Sequence, residues 1–157
     1  MGVPVVFYDG VCGLCAGVVK FIIARDPSKL FRFCSLQSQA AAPFLASQGL
    51  TLQEALQSFL VQTDTGAVLR KSDAAIYIGQ RLVSPWPYLA AAASLVPRCV
   101  RDSAYDLVAR NRYSVFGRVP LQEGEQGSGG ERCLVPTKAV KARFIELEPS
   151  GVEKKNL

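Results

Sequence analysis

Apolar residues change their spacing several times along this chain, and each change marks an element. Val3 to Tyr8 (VPVVFY) is a short β-branched and aromatic run that ends at Asp9-Gly10, which predicts a buried strand followed by a turn. From Cys12 the period becomes helical, with Cys15, Val18, Val19, Ile22 and Ile23 on one face. That helix should stop near Arg25, because Pro27 disfavours helical geometry at Asp26. Leu30 to Leu36 (LFRFCSL) reads as a second strand, with Phe31 and Phe33 on one face and Leu30, Cys34 and Leu36 on the other. Apolar residues on both faces predict an inner strand covered on both sides.

A short helix is expected over Ala40 to Gln48, with Pro43 in its first turn and Gly49 at its end. Thr51 and Glu54 have the spacing of a capping box and predict another helical turn. Phe59 to Gln62 and Ala67 to Arg70 flank Asp64-Thr65-Gly66 and predict a hairpin, with Gly66 supplying the turn geometry. Ser72 or Asp73 is then expected to cap a helix from about Ala74 to Leu82. The order is β-α-β-α-β-β-α, with the first two strands parallel and the last two a hairpin. That is the topology of an α/β, thioredoxin-like core.

Beyond this core, at about residues 3–83, lies a C-terminal helical extension over about 84–118. Ser84-Pro85-Trp86-Pro87 reads as a turn cluster. Helices are expected over Tyr88 to Leu95 and roughly Val100 to Tyr113, the second with Val100, Ala104, Leu107, Val108, Asn111 and Val115 sharing a face. Leu121 to Arg132 is polar and Gly-rich and predicts a flexible loop. Cys133 to Pro136 is apolar again, closing a single domain over 1–136. Residues 137–157 are expected to be a partly disordered tail, with a strand or helix at Ala142 to Leu147.

Composition narrows the function classes. The chain has 157 residues, 49% of them hydrophobic and 20% charged, which suits one domain with a true core. The net charge of +5 is spread among acidic residues rather than gathered in a patch with interleaved aromatics, so nucleic acid is not an expected partner. No run is long and apolar enough to cross a membrane, and the start of the chain has no basic leader, so neither a membrane nor a secretory route is expected. The absence of histidine excludes Cys-His and Ser-His nucleophilic catalysis and histidine metal sites. Five cysteines, scattered except for one pair, fit a reducing compartment: the cytoplasm, or an organelle if a presequence has been removed.

That pair, Cys12 and Cys15, lies in Asp9-Gly10-Val11-Cys12-Gly13-Leu14-Cys15, between a predicted strand and helix. Cys12 then sits at the helix N-terminus, where free N–H groups and the helix dipole favour a thiolate. The spacing assigns Cys12 as the nucleophile, open to a substrate disulfide, and Cys15 as the shielded resolving thiol. Partners would be protein or small-molecule thiols and disulfides, with no cofactor and no metal. Two other readings stay open: a thioredoxin-like module that binds partners without catalysis, and a Cys-ligated metal site, for which a second paired set is missing.

Phe7 to Cys15 (FYDGVCGLC) resembles the signature of the DCC family of thiol-disulfide oxidoreductases, named for Asp-x-x-Cys-x-x-Cys. Tyr105, Ala109, Asn111-Arg112-Tyr113 and Phe116-Gly117 resemble that family's Tyr…Ala-x-Asn-Arg-Tyr-x-x-Phe-Gly element, and Ser72-Asp73-Ala74 its helix start after the hairpin. The resemblance implies a thioredoxin-like fold and disulfide exchange. One departure from the wider thioredoxin pattern is the lack of a proline near Gln57 or Ser58, where those proteins carry a cis-proline facing the pair. Asp9 has two readings, a proton relay for Cys15 or a turn residue whose carboxylate satisfies loop N–H groups. Arg112 likewise either stabilises the thiolate or, with Asn111 and Tyr113, holds the extra helices onto the sheet. Cys34 reads as a core residue, and Cys99 and Cys133 as unassigned thiols that could pair.

Overall fold

A computed structural model describes residues 2–118 and 142–145. The strands are β1 (Val5–Tyr8), β2 (Arg32–Ser35), β3 (Leu60–Gln62) and β4 (Val68–Arg70). The helices are α1 (Gly13–Arg25), α2 (Ala42–Ser47), α3 (Leu52–Ala55), α4 (Lys71–Gly79), α5 (Trp86–Ser94) and α6 (Arg98–Phe116), with a 3-10 turn at Gln39–Ala41 before α2. The four strands form one sheet in the order β2-β1-β3-β4. β1 and β2 run parallel, with Val5 opposite Arg32 and Tyr8 opposite Ser35. β3 is antiparallel to both β1 and β4. This is the thioredoxin-like α/β arrangement the pattern predicts.

Alternation along the strands splits the core in two. Val6 and Tyr8 of β1 and Phe33 of β2 point to the face covered by α1 and α4, where they meet Cys15, Val19, Ile22 and Ile78. Phe7, Cys34 and Leu60 point to the opposite face and pack with Leu36 and Phe44. The Phe7 and Phe44 rings stack with centroids 3.8 Å apart. β2 is therefore covered on both faces as expected, but it is the outermost strand of the four rather than an inner one. Residues 142–145 lie beside it, Phe144 bridging to Phe33. Arg143, 6% exposed, pairs with the buried Asp26 carboxylate and donates from Nε to the Phe31 carbonyl at 3.0 Å. Asp26 also accepts from the Leu30 and Phe31 N–H groups. This binds residues assigned from sequence to the tail onto the turn after α1. The expected loop at 121–132, Cys133 and the rest of the tail lie outside the described residues.

Local signals read from sequence mostly hold. Thr51 and Glu54 form the reciprocal capping box, and Gly49 and Gly66 adopt φ of +60° and +86°, which glycine tolerates best. Two expectations are corrected. Neither Ser72 nor Asp73 caps α4, which starts at Lys71 with Arg70 at its N-cap. Ser72 instead donates to Asp102 of α6, and Asp73 pairs with Arg98 at 3.0 Å and Arg101 at 3.3 Å. The second correction concerns α6 itself. The face bearing Val100, Leu107, Val108 and Val115 is exposed among the described residues, Val115 at 69%. α6 docks through its polar side, on which Arg112 is buried. Long polar side chains here find partners on the domain, so hydrogen bonds and ion pairs rather than apolar periodicity set the helix orientation.

Candidate functional site

The turn after β1 delivers the Cys pair to the N-terminal end of α1. Asp9 Oδ1 accepts from the Val11 N–H at 3.1 Å, which closes the turn before the helix. Cys12 is the N-cap residue with extended backbone, and Cys15 lies one turn inside. Both are thiols, as are Cys34 and Cys99. Cys34 is buried in the second core, as expected, and Cys99 is exposed, while Cys133 lies outside the described residues. Among the described residues no group of three His, Cys, Asp or Glu side chains is placed to hold a metal ion.

Accessibility differs from the sequence expectation. Cys12 was the sulfur expected to face a substrate, yet it is 0% exposed, while Cys15 is 5% exposed. The cover is the end of α6. Arg118 forms an antiparallel bridge with Cys12, and the Gly13 N–H donates to the Gly117 carbonyl at 3.2 Å. The approach is so close that a Cβ on Gly13 would stand 2.3 Å from the Phe116 carbonyl oxygen. Gly117 turns the chain with φ of +69°. Residues 116–118 thus form a strap across the N-terminus of α1, and Gly13 is required for it to close.

Electrostatics separate the two thiols. Burial pushes the Cys15 thiol up from its ordinary 9.0 to about 12, and charge on neighbouring Cys12 adds to the rise. The Asp9 backbone N–H and the Arg112 guanidinium oppose that shift without overcoming it. Cys15 is therefore held protonated at neutral pH. Burial by itself would lower the Arg112 pKa, but Tyr113, Cys15 and Cys12 together raise it, so this arginine stays charged beside the pair.

α6 supplies the remaining parts. Arg112 Nη2 donates to the Leu56 carbonyl and, at 3.1 Å, to the Tyr113 hydroxyl. The Tyr105 hydroxyl accepts from the Phe59 N–H at 2.7 Å. These contacts tie down the stretch before β3. Tyr113 donates to Asp9 Oδ2, Gln37 Nε2 donates to Oδ1 at 2.7 Å, and Arg112 stands 3.7 Å from Oδ2. Asp9 is thus surrounded by donors, and its carboxylate organises the turn and anchors α6. Asn111, by contrast, bonds among the described residues only within its own helix, to the Leu107 carbonyl at 2.8 Å, and is exposed. Sequence reasoning missed Gln37, Gly13 and the strap. Gln37 carries no local signal, because its contact with Asp9 spans 28 residues.

The model for DCC1-like thiol-disulfide oxidoreductases matches residues 6–118, which contain both the Cys pair and all of α6. The chain belongs to the DCC1-like family. Among its relatives is the uncharacterized protein YuxK of Bacillus subtilis, 39% identical over 141 residues, covering 90% of this chain and 93% of that protein. Another is a DCC family protein of Arabidopsis thaliana, At1g52590, described as chloroplastic. It is 38% identical over 115 residues, covering 73% of this chain and 66% of the relative. No solved structure gives a significant match. Within the DCC1-like frame the downstream element has a physical meaning: Tyr105 and Arg112 hold α6 against the stretch before β3, and Arg112, Tyr113 and Gly117 hold it against the turn that carries Cys12 and Cys15.

Proposed function

We propose that this protein exchanges disulfides with a protein or small-molecule partner through Cys12 and Cys15. The observation that carries the reading is the asymmetry of the pair: Cys12 at the N-cap of α1, and Cys15 one turn inside with its thiol held up near 12. The Cys12 thiolate attacks one sulfur of the substrate disulfide, a mixed disulfide forms, and the first substrate sulfur leaves and takes a proton. Cys15 then loses its proton and attacks the Cys12 sulfur, forming the Cys12–Cys15 disulfide and releasing the second substrate thiol. The substrate gains two electrons and the protein loses two. Arg112 lowers the cost of negative charge on either sulfur. Asp9 enters as the acceptor of the Cys15 proton or as the anchor of the turn, and its hydrogen bonds favour the anchor.

For this cycle the strap at residues 116–118 must lift, since Cys12 is closed to solvent beneath it. That closure also favours a second reading, a DCC1-like module that binds partners without exchange. No helix among the described residues is long and apolar enough to cross a membrane. The proposal locates exchange in a reducing compartment, the cytoplasm, with an organelle as the alternative that the chloroplastic relative favours. Equilibration in graded glutathione buffers, read by intact mass and peptide mapping, tests the function. Loss of two hydrogens with a Cys12–Cys15 cross-link, at a potential within the roughly −270 to −120 mV of redox-active dithiols, is expected. A chain that stays fully reduced throughout would favour the binding module.

A further inference from the structure

Behind Cys15, between α1, α4 and α6, lies a cleft of about 500 Å³, within the roughly 300–1,000 Å³ of ligand sites. Leu14, Val18, Phe21, Phe59, Leu82 and Trp86 line it, and its surface is almost wholly apolar. Lys71 and Arg112 border it, but their charges are turned to Asp106, 2.9 Å away, and to Asp9, 3.7 Å away. Cys15 stands in its wall, and the Cys15 thiol meets that of Cys12. The cleft therefore ends on the exchange centre. Its mouth is open at Ala75 and at Val108, which is 50% exposed. On α6, Val108 shares one stripe with Val100, Ala104 and Val115, all of them exposed. The helix then ends at Phe116, half exposed, in the strap over Cys12.

Cleft, stripe and strap form one apolar surface that leads to the dithiol. A large apolar side chain gains by entering the cleft, whereas a charged one would be desolvated there with no partner. From Val100 to Val115 the stripe runs about 22 Å along the helix, more than a small molecule covers. An anchor side chain in a pocket, with weaker contacts around it, is the form in which peptides and proteins bind such a surface. Main-chain pairing is not on offer beside the cleft, because the Phe59 N–H is held by Tyr105 and the Leu56 carbonyl by Arg112. Recognition then falls to side chains. We propose, on the reading that Cys12 and Cys15 exchange disulfides, that their substrate is a peptide or protein disulfide flanked by a large apolar side chain. The cleft takes that side chain, and the stripe on α6 receives the residues around it.

The test mixes reduced protein with the disulfide-linked dimers of two pentapeptides, Gly-Phe-Cys-Phe-Gly and Gly-Ser-Cys-Ser-Gly. Thiol release is followed by chromatography, each rate being divided by that of dithiothreitol with the same dimer. The phenylalanine dimer should react about 10–100 times faster than the serine dimer. Ala75 lines the cleft, and Ala75→Phe should bring the two rates together by filling it; Val108→Asp, at the mouth, makes the same test if that variant does not fold. The ratio is taken within each variant, so a general change in reactivity cancels. Equal rates for the two dimers in the wild type overturn the proposal and leave exchange standing, and a dimeric protein with equal rates assigns the stripe to a second copy. A preference that survives in a folded, filled variant also overturns it. Trp86, the single tryptophan of the chain, lines the cleft and reports its occupancy. If neither dimer reacts, nor 2-hydroxyethyl disulfide, which needs no docking, exchange itself is overturned and the cleft is judged by Trp86 fluorescence alone. A saturable change with Gly-Phe-Ser-Phe-Gly, absent with its serine counterpart, upholds docking of the apolar side chain, and no change overturns it.

Discussion

Replacing Gly13 by alanine perturbs the contact that closes over Cys12. The new Cβ would stand 2.3 Å from the Phe116 carbonyl oxygen and 3.3 Å from its carbonyl carbon, against the 3.4 Å where ordinary contact begins. These are backbone atoms, so the end of α6 must retreat as a unit, by roughly 1 Å, because packed atoms resist overlap. Retreat loosens the Gly13–Gly117 hydrogen bond and the Cys12–Arg118 bridge, about 0.5–1.5 kcal/mol for each contact. Alanine recovers part of this through helix propensity, at most about 1 kcal/mol. Global stability should fall by about 1 kcal/mol or less, while the local closing energy falls by about 1–2 kcal/mol, a factor of about 5–30 in the open population. Iodoacetamide labelling with peptide mapping reads that population directly. Cys12 in Gly13→Ala should label about 5–30 times faster than in the wild type, with only a small drop in Tm. An unchanged Cys12 rate in a folded Gly13→Ala would refute the strap as the gate.

Other outcomes follow from the same contacts. Asp9→Asn keeps the shape of the turn but removes the titrating group: a relay role slows resolution of a mixed disulfide with little change in Tm, and an anchoring role lowers Tm and leaves resolution unchanged. Asp26→Ala leaves Arg143 buried without its counter-ion, and denaturant unfolding should show a loss of about 3–5 kcal/mol. The pH dependence has a definite sign. Cys15 keeps its proton in the folded state up to about 12 but loses it near 9.0 when unfolded, so its contribution to stability is complete below pH 9 and is lost as pH rises toward 12. The stability difference between wild type and Cys15→Ala, measured by urea unfolding at a series of pH values, should therefore shrink across that window and stay flat between pH 6 and 8.

The sheet and its two cores were legible because they follow from period. Alternation in LFRFCSL assigns Phe33 to one face and Cys34 to the other, the apolar run VPVVFY marks a buried strand, and the shift to helical spacing at Cys12 places the pair at a helix start. The position of β2 at the sheet edge was hidden, since burial on both faces does not distinguish an edge covered by distant residues, here Arg143 and Phe144, from an inner strand. α6 misled because its apolar residues share a face that the domain does not use. Its docking face is Arg101, Tyr105 and Arg112, whose partners Asp73, Phe59 and Leu56 are distant in sequence. The burial of Cys12 was hidden for a similar reason: Gly13 and Gly117 each look like an ordinary glycine until their backbones are brought together.

The roles within the pair are the centre of the account, and trapping the covalent intermediate tests them most directly. Cys15→Ser and Cys12→Ser are each incubated with a disulfide peptide and read by intact mass before and after dithiothreitol. Exchange through Cys12 requires Cys15 for release, so Cys15→Ser should accumulate a peptide adduct on Cys12 that dithiothreitol removes. Cys12→Ser should form almost none, because burial holds the Cys15 thiol protonated. Equal trapping by the two variants would contradict the assigned roles, and no adduct on either would contradict disulfide exchange itself.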